Sequence, residues 1–160
     1  MNDNIDLNKL PPDVKKEFMK YALKLSEKKT KSKVYDDFLT FVKHVWPEFI
    51  EGDHHKIIAE KFNRLARGEV KRLIINMPPR HTKSEFASNL LPAWMIGRKP
   101  DLKIIQTTHT TELAVRFGRK AKTLIDSPEY QQMFKTRLRE DSQAAGKWET
   151  EQGGEYYAAG

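Results

Sequence analysis

Apolar side chains recur at three- and four-residue steps through the first part of the chain, and that spacing predicts successive helices. The first starts at Pro12, with Val14, Phe18, Tyr21, Ala22 and Leu25 on one face. A second, from about Tyr35 to Trp46, turns Phe38, Phe41, Val42, Val45 and Trp46 inward and stops at Pro47. A third, from about His54 to Ala66, carries Ile57, Ile58, Phe62 and Leu65 on one side and ends at Gly68. The period then changes. Arg72-Leu73-Ile74-Ile75-Asn76-Met77 is a compact apolar run that reads as a buried strand and breaks at Pro78-Pro79. Helical spacing returns from Ser84 to about Ile96, burying Phe86, Leu90, Leu91 and Trp94, with Pro92 expected to kink it. Leu102 to Thr107 reads as the next strand. A helix from Thr111 or Glu112 to about Ile125 then buries Leu113, Ala114, Phe117, Ala121, Leu124 and Ile125. Ser127-Pro128 opens a further helix to about Phe134, and the rest, around Trp148 and Tyr156-Tyr157, reads as turns and short strands. Strands alternating with helices predict an α/β fold. Residues 1–10 read as loosely held.

The candidate chemistry sits where the first strand ends. Pro78-Pro79-Arg80-His81-Thr82-Lys83-Ser84 joins that strand to a helix, which is the order of a phosphate-binding loop. A helix N-terminus presents unpaired N–H groups and the positive end of its dipole to an anion. Lys83 is placed to reach the β- and γ-phosphates of ATP, and the Ser84 hydroxyl to ligate Mg2+, while Pro79, Arg80, His81 and Thr82 form the cradle. The usual pattern has glycines six residues and one residue before the lysine; Met77 and Thr82 stand there instead. Thr82 must accept the left-handed conformation that glycine adopts freely, or the loop must close differently. The competing reading is a basic surface turn.

Charge adds a partner class. With 29 Lys and Arg against 22 Asp and Glu, the formal charge is +7 and the pI about 9.5, which favours polyanions and, among them, nucleic acid. Lys24, Lys28, Lys29, Lys31 and Lys33 crowd one stretch with only Glu27 in opposition, readable as a DNA-facing patch or as a solvated helix end and linker. Absence of cysteine excludes disulfides and thiolate zinc sites. The start, Met1-Asn2-Asp3-Asn4-Ile5-Asp6, is polar and acidic, and no apolar run is long enough for a bilayer, so no signal peptide or transmembrane segment is expected and a soluble intracellular protein is predicted. A chain of 160 residues suits one domain with a real core.

Three blocks together, Asn76-Met77-Pro78-Pro79-Arg80-His81-Thr82-Lys83-Ser84, Lys103-Ile104-Ile105-Gln106-Thr107-Thr108-His109-Thr110 and Phe117-Gly118-Arg119-Lys120, resemble the large terminase subunit of tailed double-stranded DNA phages. The resemblance runs from about His54 to the last residue. It implies the P-loop NTPase fold of the additional-strand type, an incomplete parallel sheet flanked by helices, over residues 53–160, preceded by a helical segment over 1–52. It also implies ATP-driven translocation of double-stranded DNA into a procapsid. The implied setting is the host cytoplasm and, transiently, the portal vertex, in a homo-oligomeric ring with the portal protein and the small terminase subunit.

By the same resemblance Arg80 contacts or senses the γ-phosphate, a task suited to a planar guanidinium; otherwise it is a loop arginine paired to a carboxylate. His54 and His55 stand where related motors place a glutamine that reads adenine, and the alternative is a helix-start pair in solvent or sealing the core. Thr107, Thr108 and His109 are expected at a DNA-touching loop on the carboxyl edge of the sheet, unless Thr110 simply caps the following helix. The Walker B carboxylates of such motors have no counterpart after the loop: Leu124-Ile125-Asp126 has too few apolar residues, and Asp36-Asp37 lies upstream. The family's magnesium aspartate and nuclease domain are therefore expected beyond Gly160, with this chain not hydrolytic alone. Rival readings are a helicase-like translocase and a non-enzymatic basic DNA-binding or assembly module.

Overall fold

A computed structural model of the chain describes residues 11–160, the Gln143 side chain excepted. The expectation for residues 1–10 lies outside them. Helices α1 (Pro12–Asp36), α2 (Phe38–Val45) and α3 (Asp53–Ala66) come first. A π-helical stretch (Glu85–Leu90) runs into α4 (Leu91–Arg98), followed by β1 (Lys103–Thr107), α5 (Thr111–Ile125), α6 (Pro128–Met133), β2 (Leu138–Ala144), β3 (Lys147–Thr150) and β4 (Glu155–Ala159).

The fold is α/β with one four-stranded sheet in the order β1-β4-β3-β2. Only β1 and β4 are parallel; β4–β3 and β3–β2 are antiparallel, so the sheet is mixed where a parallel one was expected. Connection length explains the difference. β2, β3 and β4 follow one another through turns too short for a crossover, one of them bending at Gly153 (φ +86°), and short turns impose antiparallel pairing. From β1 to β4 the chain passes through α5 and α6 and can return parallel.

The core is aromatic at its centre. The Phe38 ring meets Phe62 at 5.1 Å, and Phe86 and Trp94 at 5.4 Å each, all edge-on. These four rings come from α2, α3, the π-helical stretch and α4, so α2 shares one core with the elements after residue 53. Buried donors are matched: Trp94 Nε1 donates to the Val34 carbonyl (2.8 Å), and the Tyr130 hydroxyl to that of Ala93 (2.9 Å).

Four expectations are corrected. The lysine-rich stretch from Lys24 to Lys33 is not a linker, because α1 continues unbroken to Asp36. Along that helix Val34 is the single buried residue, and Val14, Phe18, Tyr21 and Leu25 stay exposed because no described element covers them. Ile57 points outward, 63% exposed, whereas its neighbours Ile58 and Ala59 face the core. The run from Arg72 to Met77 alternates in burial, with Leu73, Ile75 and Met77 packed inward and Ile74 85% exposed, yet it forms no strand and pairs with none among the described residues. Its pattern is that of a half-buried strand, and the hydrogen-bonding neighbour is what it lacks.

Candidate functional site: the loop between residues 78 and 84

The 72–77 run delivers the chain to Pro78-Pro79, and the loop then turns through two residues in the left-handed region, Arg80 (φ +63°) and Thr82 (φ +57°). Of the described residues other than glycine, these alone have positive φ. A left-handed conformation is uncommon for arginine and is strained for a β-branched threonine, and clusters of such residues mark sites where surrounding structure enforces the geometry. Thr82 thus accepts the conformation that glycine would have adopted freely.

The turn lets the helix begin at once. Lys83 and Ser84 are already helical, and the first intrahelical backbone bond is Phe86 N–H to the Thr82 carbonyl at 2.9 Å. By helix geometry the amides of Lys83, Ser84 and Glu85 have no partner within the helix, and they converge at its positive end. The Lys83 ammonium folds back across the loop and donates to the Met77 carbonyl at 3.4 Å, a long bond easily exchanged for a stronger acceptor. Ser84 is exposed at the rim. Arg80 is exposed too, and among the described residues no carboxylate pairs with it.

Histidines line the flank of the loop. His81 Nδ1 lies 2.8 Å from the Pro79 carbonyl. His54 and His55 open α3 with their rings 3.8 Å apart, and the His54 ring is 5.7 Å from that of His81. His55 is buried between Phe49 (4.7 Å) and Phe86 (5.0 Å). Its Nδ1 accepts the Gly52 N–H at 2.9 Å, and its Nε2 lies 2.7 Å from the Thr82 hydroxyl. Both ring nitrogens are thus engaged within the protein, which leaves neither for an adenine base. Burial foremost, with help from the neighbouring His54 and His81 rings and against the pull of Glu51, holds the His55 imidazole below its ordinary pKa.

Sequence reasoning missed this pairing because 27 positions separate its partners. A local signal existed: a histidine three residues after a glycine helix cap is one half of a capping box, with the ring replacing the usual Glu.

At the carboxyl end of β1, Thr107 and His109 are exposed. The Thr108 hydroxyl donates to the Thr110 carbonyl (2.6 Å), and the Thr110 hydroxyl accepts the Leu113 N–H (3.3 Å) as the cap of α5. Thr110 thus caps the helix that follows it. No hydrogen bond joins this segment to the 78–84 loop among the described residues. A bridge from Lys120 to Glu85 (2.8 Å) ties α5 to the helix that leaves the loop.

Asp126 caps the C-terminus of α5 and its carboxyl is raised by burial, with Lys122 opposing; it ends a helix, not a strand. Among the described residues no group of three His, Cys, Asp or Glu side chains is placed to hold a metal ion, and no helix is long and apolar enough to cross a membrane.

The chain is thus an α/β domain in which the 78–84 loop runs directly into a helix. No protein-family model, no curated protein and no solved structure matches the chain.

Proposed function

We propose that the 78–84 loop binds the phosphates of ATP with Mg2+, and that the chain is the ATPase portion of a motor that moves double-stranded DNA into a phage procapsid. The observation that carries the first half is the left-handed Thr82 immediately before a helix that begins at Lys83. A non-glycine residue held in that conformation, with three amides behind it free of helical partners, supports a preorganised anion cradle over an incidental turn.

In this reading the amides of Lys83, Ser84 and Glu85 hold the phosphate oxygens, and the Lys83 ammonium leaves the Met77 carbonyl for the β- and γ-phosphates. Ser84 and the phosphates would hold the metal, which would supply neutralisation of phosphate charge. Arg80, exposed at the rim, is placed to meet the γ-phosphate with its guanidinium fork.

The second half, DNA packaging, rests on the three sequence blocks and the net charge of +7. Double-stranded DNA is the partner, and the portal protein, small terminase subunit and ring assembly come with that reading.

Equilibrium binding of a fluorescent ATP analogue with Mg2+ to the chain and to Lys83→Ala tests the loop. The variant is expected to bind at least tenfold more weakly, a difference of about 1.4 kcal/mol or more, which is what a charge-assisted bond supplies. Equal affinity of the two proteins contradicts the assignment.

A further inference from the structure

We propose that His55, as the neutral Nε2–H tautomer, is the positioning residue that props Thr82 in its left-handed conformation and so sets the direction of the loop amides. This rests on the phosphate-loop reading for its functional consequence. The strut itself rests on hydrogen bonds alone.

The proton positions follow from two independent ends of one chain of hydrogen bonds. At one end the Gly52 N–H can only donate, so His55 Nδ1 must be bare to accept it at 2.9 Å. At the other, the Thr82 hydroxyl has one proton, which it gives to the His81 carbonyl at 2.7 Å. It must therefore accept from His55 Nε2, also at 2.7 Å, so Nε2 carries the hydrogen. Both ends demand the same tautomer.

The strut is also rigid. Phe49 and Phe86 hold the imidazole on its flanks, and Gly52 is fixed at the cap of α3. Thr82 is thereby anchored through its side chain while its backbone turns, which is what a β-branched residue needs to stay in a region that glycine enters without support. The prop comes from α3, an element outside the strand, loop and helix that it steadies.

Protonation would break the arrangement, since an Nδ1–H would face the Gly52 N–H. The groups facing His55 are His54 on its own helix, His81 on the loop, and Glu51 on the segment before α3. Glu51 is the one group that favours the cation, and it already pairs with Lys43 and Lys56. Nucleotide binding is therefore expected to be full above about pH 6.5, the ordinary value for histidine, and to weaken as the pH falls from there through the lowered value of His55.

A double-mutant cycle in the whole chain separates a strut from a base-binding or general packing role. His55→Ala is expected to weaken binding of the fluorescent ATP analogue about tenfold when residue 82 is Thr. In the Thr82→Gly background, where the turn needs no prop, the same change is expected to cost less than about twofold. Equal losses in both backgrounds, or no loss in either, overturn the proposal.

Two readouts by NMR do not depend on nucleotide. In the unsubstituted chain at pH 7.5, histidine 15N spectra are expected to show a protonated Nε2 and a bare Nδ1 for His55, and the opposite tautomer overturns the strut whether or not His55→Ala folds. The Cα and Cβ shifts of Thr82 are expected to lose their left-handed signature in His55→Ala, and their retention also overturns it. A chain that binds no nucleotide yet passes both NMR tests sinks the phosphate-loop reading and leaves the strut standing.

Discussion

At the scale of single residues, side chains cap several helix starts by accepting backbone N–H groups, as Asp37, Thr110 and Ser127 do. Asp37 is the densest case. One of its carboxylate oxygens accepts from the Thr40 amide (2.7 Å) and hydroxyl (2.6 Å), and the other from the Asn63 amide (2.8 Å). Asn63 in turn accepts the Phe38 N–H at 2.8 Å, so a single carboxylate locks α2 onto α3. Burial pushes the Asp37 carboxyl upward, but the hydrogen bonds from Thr40 and Asn63 outweigh it and hold the group below its ordinary value. Its contribution is thus present above about pH 3.8 and fades as the pH falls through the lowered value. Asp37→Ala removes a helix cap and strands the Asn63 amide, a cost of about 2 kcal/mol and a fall in Tm of roughly 4–8 °C. An unchanged melting curve would show that the cap carries no stability. The problem posed by Thr82 was legible from spacing alone. How that problem is met was not, because the His55 hydrogen bond is long-range and its direction depends on a tautomer.

At the scale of elements, the periodicity of the sequence placed every helix after α1 within a few residues, and its misses have separate physical causes. Pro92 was expected to kink one continuous helix. The chain instead widens the turns before it, with Leu91 N–H reaching back five residues to the Phe86 carbonyl, and the wider turn makes room for a proline ring at the start of α4. The run from Arg72 to Met77 shows that alternation specifies a buried face, whereas strand pairing needs a neighbour that periodicity does not reveal. Helix α1 teaches the reverse: an apolar stripe predicts a covered face, and here Phe18 and Tyr21 remain open beside Lys20, Lys24 and Lys28. If this helix meets DNA, its lysines displace counterions, and the slope of log Kobs against log salt is expected to become shallower by about 0.9 for each phosphate that is no longer neutralised. Replacing Lys24, Lys28, Lys29 and Lys31 with Gln and measuring DNA affinity across a salt series checks this. An unchanged slope would make the stretch a solvated face.

At the scale of the whole molecule, α/β architecture was readable from the alternation of helical and extended runs, but the mixed sheet was not. Strand direction depends on how many residues lie between partners, and the short turns around β3 decided it. One aromatic core unites α2 with the elements on both sides of the loop, so Phe86, three residues after Lys83, is anchored to Phe38 and to His55 together. That anchoring keeps the start of the helix and the His55 strut in one rigid frame, the arrangement that a preorganised phosphate cradle requires. The most direct measurement is a map of backbone amide shifts in the 15N-labelled chain as ATP with Mg2+ is added. The account predicts saturable shifts that are largest from Arg80 to Glu85; shifts concentrated elsewhere while Lys83, Ser84 and Glu85 stay unmoved would contradict it.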